Sequence, residues 1–97
     1  MSGLIQVTPA ELHEMATRYA NESSEVESQI GELDGMIRQL EDMWKGESSR
    51  AFSEQYEQLR PSFVAMQKLL DDIHIQLNNT AKALEDADQQ IASQIRG

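Results

Sequence analysis

His13, His74 and a dense set of carboxylates are the side chains of this 97-residue chain most suited to acid–base or metal chemistry. Their spacing argues against both. A metal centre needs converging ligands, and on a helix a second ligand usually stands at i+4. The two histidines lie in opposite halves of the chain, neither has a histidine at i+4, and there is no cysteine. They read as surface or packing residues. Glu25, Glu27, Glu32, Asp34, Asp71 and Asp72 fall mostly outside the regularly spaced apolar positions and read as a solvated helix face. No glycine-rich phosphate loop is present, and no nucleophile is marked by its context. The expectation is no enzyme, no catalytic residue, no metal and no cofactor.

Two short stretches are better candidates for function, through recognition. Leu84, Asp88, Ile91 and Ile95 stand at i, i+4, i+7 and i+11, so on a helix they share one narrow face. One carboxylate is thus set into an apolar stripe. Glu85, Asp86 and Asp88 also lie near a helix C-terminus, where negative charge opposes the macrodipole and promotes fraying. On spacing alone this is either a docking peptide for another protein's groove or the end of a packing seam. The second stretch, Met43-Trp44-Lys45-Gly46-Glu47-Ser48, holds the only tryptophan beside a glycine at mid-chain.

The elements that position them are two helices. Thr8-Pro9-Ala10-Glu11 reads as a capped helix start, with Thr8 as cap, Pro9 at the first position and Glu11 closing a capping box. Two heptad-spaced rows follow: Leu12, Tyr19, Val26, Leu33, Leu40 and Ala16, Ser23, Ile30, Ile37, Trp44. All but Ser23 are apolar. The second half repeats the pattern through Phe52, Leu59, Met66, Ile73, Thr80, Ala87 and Tyr56, Phe63, Leu70, Leu77, Leu84, Ile91. Here Thr80 is the one exception. Sustained three-four spacing denotes helices packed as in a coiled coil.

The seams predict a first helix over about 8–44, a turn at 45–48 and a second helix over about 49–95. So short a connection makes neighbouring antiparallel helices. Gly46 is expected in a left-handed conformation that closes the first helix, Ser48 or Ser49 as the cap of the second, and a bend near Pro61. Trp44 and Phe52, as last and first seam residues, should face each other across the turn. Leu33, Ile37, Leu40, Phe52, Tyr56, Leu59, Phe63, Leu70 and Leu77 are the expected hairpin and dimer core. Met15, Met36, Met43, Val64, Ala65, Leu69 and Ile75 widen the apolar stripe beyond what one neighbouring helix covers. Two hairpins packed as an elongated four-helix bundle solve this, either from two copies of the chain or with a partner of the same pattern.

Composition agrees. The chain is 39% hydrophobic but only 5% aromatic, which favours helix over sheet. Its formal net charge of −9 opposes nucleic acid and anionic lipid as partners. No apolar run approaches a membrane span, so no stable membrane insertion is expected. The N-terminus, MSGLIQVTPAE, has no basic segment and only a very short apolar one, so no cleavable secretory signal is expected.

A chain of this length, a helical hairpin and the central W-x-G of Trp44-Lys45-Gly46 together resemble the WXG family, the small proteins of early secretory antigenic target type. The resemblance spans essentially the whole chain. It implies a non-enzymatic substrate of the type VII secretion system of Gram-positive bacteria and mycobacteria. Such a protein is cytoplasmic before export, recognised in its folded state by the system's membrane ATPase, and secreted without a cleaved signal peptide. Co-secreted partners are a further implication. The mycobacterial form of the C-terminal signal requires a tyrosine that this region lacks. The form of low-GC Gram-positives, a hydrophobic residue, an acidic residue and two hydrophobics, fits Leu84, Asp88, Ile91 and Ile95. This likeness to the Bacillus and Staphylococcus type implies a homodimer. It also implies that Trp44 and Gly46 of one protomer lie near the export signal of the other. The alternative reading is a cytosolic helical-hairpin scaffold or tethering module.

Overall fold

Thr8 opens the first helix by exchanging hydrogen bonds with Glu11. The Glu11 amide donates to Thr8 Oγ1 at 3.1 Å, and the Thr8 amide donates to the Glu11 carboxylate at 2.9 Å. Both satisfy donors that a helix start leaves unpaired. The Thr8 backbone N–H, followed by its hydroxyl, holds the Glu11 carboxyl below its usual range. The computed structural model describes residues 7–96; within them α1 spans Pro9–Met43 and α2 spans Glu47–Arg96. The fold is an all-α antiparallel hairpin. At about 1.5 Å per residue, the 50-residue α2 accounts for the long axis of a molecule measuring 76 × 24 × 14 Å.

The turn is tighter than the expected 45–48. Trp44 is the C-cap of α1: its amide still donates to the Leu40 carbonyl at 2.8 Å, but φ −122° and ψ 94° take the chain out of the helix. Gly46 then has φ +147°, a conformation that residues with a Cβ rarely adopt. Its place corrects two expectations. It does not close α1; it opens α2, with its carbonyl accepting from the Arg50 amide at 3.2 Å. Neither Ser48 nor Ser49 is the cap. Both lie inside the first turn of α2, and the Ser49 hydroxyl donates back to the Gly46 carbonyl at 3.1 Å. A glycine N-cap supplies no side-chain acceptor, and the need for positive φ decides the residue instead.

Pro61 lies inside α2, which is helical without interruption across it. It removes the donor for the Glu57 carbonyl. Glu57, Arg60 and Pro61 are all exposed, so this loss falls on the solvent side.

Small side chains form the contact between the helices. Ala16, Ser23 and Ile30 of α1 and Ser49, Ser53 and Ala81 of α2 are buried, and no large side chain among the described residues is fully enclosed. Close approach at small residues leaves the bulky ones at the flank. Leu33, Ile37, Leu40, Tyr56, Phe63, Leu70 and Leu77 are half-buried. Phe52 and Leu59, placed with them in the expected core, remain 50% exposed and Met66 48%.

Gly46 and the helical glycines give opposite predictions. An added Cβ meets nothing within 4 Å at Gly31, Gly35 or Gly46, so backbone preference alone decides. Gly31→Ala and Gly35→Ala should each stabilise by about 0.5–1 kcal/mol. Gly46→Ala should destabilise by roughly 1–3 kcal/mol through strain at positive φ. Urea denaturation of the three variants checks both signs.

Candidate functional site

The residues expected to serve in recognition lie in two regions at opposite ends of the rod. The first is the tip. Trp44 and Phe52 have ring centroids 6.3 Å apart, tilted at 54°, within the range of favourable aromatic pairs. Trp44 is 42% exposed and Met43 81%, so the pair caps the hairpin while presenting an apolar edge. Lys45 and Gly46 beside them are exposed. Below the tip, Leu33, Met36, Ile37, Leu40, Phe52 and Tyr56 line an apolar groove of about 310 Å³.

The second region is the free end of α2. Among the described side chains of α2 the last buried one is Ala81, and residues 82–95 are all exposed. Since α1 begins at Pro9, the antiparallel register exhausts α1 there, and α2 projects beyond it by roughly 20 Å. Leu84, Asp88, Ile91 and Ile95 lie on this projection. The three apolar members are 39%, 56% and 80% exposed respectively. Leu84 and Ile91 continue the row of Tyr56, Phe63, Leu70 and Leu77 past the end of α1. Phe52, Leu59 and Met66, in the other row, are about half exposed along the hairpin. The bulk of the charge along the projection is acidic, with Glu85, Asp86 and Asp88 against Lys82, which approaches Asp86 at 3.8 Å.

Three polar rungs tie the helices between these ends, and sequence reading identified none of them. Nearest the tip, Arg60 Nε and Nη2 donate to the two Asp34 oxygens, each at 2.9 Å, and Tyr56 Oη donates to Asp34 Oδ1 at 2.6 Å. This two-pronged geometry is the strong form of an ion pair. Arg60, then Tyr56, hold the Asp34 carboxyl down to about 2. Burial first, then Asp34, push the Tyr56 hydroxyl above its usual range. Midway, Ser23 Oγ donates to the Gln67 carbonyl at 3.2 Å and accepts from Gln67 Nε2 at 3.0 Å. Near the open end, His13 Nδ1 meets Asn78 Oδ1 at 2.8 Å and Nε2 meets Glu85 Oε1 at 3.3 Å.

These rungs correct the reading of Asp34 as a solvated carboxylate, and they set His13, read as a surface or packing residue, against α2. The available signals were slight: Ser23 as the polar interruption of its row, and opposite charges at Asp34 and Arg60, each directly after a seam leucine. Both become legible only once the antiparallel register is known. His74 remains local, 3.4 Å from Asp71 one turn back. Among the described residues no group of three or more histidines or carboxylates could hold a metal ion. No helix of the described residues is long and apolar enough to cross a membrane.

Comparison with known proteins points the same way as the hairpin and its tip. The family model for "proteins of 100 residues with WXG" matches residues 4–89. Protein YukE of Bacillus subtilis is 56% identical over 97 residues, covering 100% of both chains. The type VII secretion system extracellular protein A of Staphylococcus aureus is 29% identical over 90 residues, covering 93% of each. Among solved structures, Geobacillus thermodenitrificans EsxA superposes with a TM-score of 0.84 at 53% identity, covering 93% of this chain and 100% of that one.

The Asp34 rung sets an acid limit on stability. A depressed folded-state pKa stabilises above the unfolded value, and this contribution fades as pH falls through the folded value. Asp34 should therefore contribute fully above its ordinary 3.8 and progressively less down to about 2. The difference in urea midpoint between wild type and Asp34→Asn should be greatest above pH 4 and shrink toward pH 2.

Proposed function

This chain belongs to the WXG100 family, and from that premise we propose that it is a non-enzymatic substrate of a type VII secretion system, exported from the cytoplasm as a folded homodimer. The printed name of the Staphylococcus relative, a type VII secretion system extracellular protein, supports the route. The observation that carries the reading is the projecting end of α2. Residues 82–95 are exposed while Leu84, Ile91 and Ile95 keep an apolar face. An apolar, helical extension suits insertion into a groove of the secretion ATPase, read as anchors at helical spacing.

The exposed flank supports the homodimer. Phe52, Leu59 and Met66 lie half-exposed in a row beside the groove lined by Leu33, Met36 and Leu40. A second copy laid antiparallel covers this strip and closes a four-helix bundle by a two-fold axis. It also brings the partner's tip beside the projecting end. Trp44 and Gly46 of one protomer with Leu84, Asp88, Ile91 and Ile95 of the other then form a composite surface at each end of the rod. The tip contributes fixed shape and the projection contributes reach.

Immunodetection in culture medium tests the export signal. Wild type should appear there only when the secretion ATPase is functional. Asp88→Ala, or removal of residues 84–97, should keep the dimer and abolish release. Normal release of these variants would leave a cytosolic scaffold or tether as the better reading. Dimerisation is tested separately by Leu77→Asp, which sets a charge into the half-buried seam. It should cost on the order of several kcal/mol, read as a lower melting temperature and a smaller particle by light scattering.

A further inference from the structure

His13 stands where α1 begins and where α2 leaves the hairpin. Both ring nitrogens face oxygen acceptors on α2, Asn78 Oδ1 at 2.8 Å and Glu85 Oε1 at 3.3 Å. A neutral imidazole has one N–H, so it can donate to only one of the two. The imidazolium has two and can donate to both. We propose that His13 is a proton-operated clasp at the root of the projecting α2 segment, fastening residues 82–90 to α1 when protonated and releasing Glu85 when neutral.

The surroundings make Glu85 the partner that responds. Along α1, the residues one turn away from His13 are Pro9, Ala10, Ala16 and Thr17, none charged, and the Thr17 hydroxyl donates to the His13 carbonyl at 3.1 Å. On α2, the facing turns supply Asn78, Ala81, Lys82 and Glu85. Lys82 is turned to Asp86 at 3.8 Å, so Glu85 is the charge that meets the ring. With Asn78 Oδ1 set against Nδ1 at 2.8 Å, the single N–H of the neutral ring stands on Nδ1 and donates to Asn78. Glu85, acceptor-only when ionised, then faces an unprotonated Nε2 that offers it no donor. Loss of the proton therefore keeps the Asn78 contact and frees Glu85, which neighbours Leu84.

The energetics run in the same direction. Asn78, then Glu85, hold the His13 imidazolium above the usual histidine range. A raised folded-state pKa stabilises fully below the unfolded value of 6.5 and is lost as pH rises through the folded value. The clasp thus holds fully below 6.5 and opens as pH rises through the raised folded-state value. Ordering of the segment is a property of the hairpin itself. Its bearing on release from the cell rests on the export reading.

Hydrogen-exchange protection of the residue 82–90 amides in the full-length protein, measured by NMR from pH 5.5 to 8.5 with intrinsic exchange removed, tests the clasp. Protection in wild type should fall several-fold with the same midpoint as the His13 ring resonances. Glu85→Gln should lower that midpoint and shrink the change. His13→Gln should make protection independent of pH, while His74→Gln leaves the wild-type response in place. Constant protection in wild type, or a pH response that survives His13→Gln, would overturn the proposal. An altered export level without these changes in protection would bear on the export reading and also count against the clasp.

Discussion

Thickness governs this molecule. A hairpin of two helices is only 14 Å across its narrowest dimension, about one helix with its side chains. Each helix can be covered along one stripe by its neighbour and is bare elsewhere. Among the described residues no bulky side chain is therefore enclosed on all sides, and the buried positions are filled by alanine, serine and one isoleucine. Hydrophobic burial scales with area removed from water, and here much of the available apolar area stays wet. The folded chain is complete in its backbone and incomplete in its packing. The proposed homodimer supplies the missing layer.

With so little core, alignment of the helices depends on directional contacts. A smooth apolar seam tolerates sliding by a heptad, since each row repeats after seven residues. The rungs do not. Asp34 needs both Arg60 and Tyr56, Ser23 needs Gln67, and His13 needs Asn78 and Glu85. A slip of one heptad would break all three together. Because the register is fixed, the end of α1 is fixed too, and so is the point where α2 runs on alone. The projecting segment is thus defined by polar pairing elsewhere in the rod.

The hairpin was legible in the sequence because its signals are local: heptad rows, the Thr8-Pro9-Ala10-Glu11 start, and a single break at Trp44-Lys45-Gly46. Details at the turn were harder to read. Ser48 and Ser49 have the chemistry of N-caps, but Gly46 occupies that position because the chain reverses in fewer residues than expected. The rungs were not legible. Asp34 resembles the neighbouring surface carboxylates until Arg60 is placed opposite, which depends on the register rather than on either residue's surroundings in sequence. Likewise, the apolar spacing of Leu84, Ile91 and Ile95 could be read directly. That α1 stops short of them could be seen only by counting both helices from a fixed turn.

The tip has a mechanical consequence. Because the chain reverses once, at Gly46, the outer ends of α1 and α2 lie at the same end of the rod. Tension applied between those ends peels the helices apart instead of shearing them past each other. The rungs are then loaded in sequence, His13 first, Ser23 next and the Asp34 clamp last. Each breaks alone, so the peak force is that of one rung and does not accumulate along the length. A machine that grips the end of α2 while α1 is held could thus unravel the hairpin from its open end like a zip fastener, against little resistance at each step.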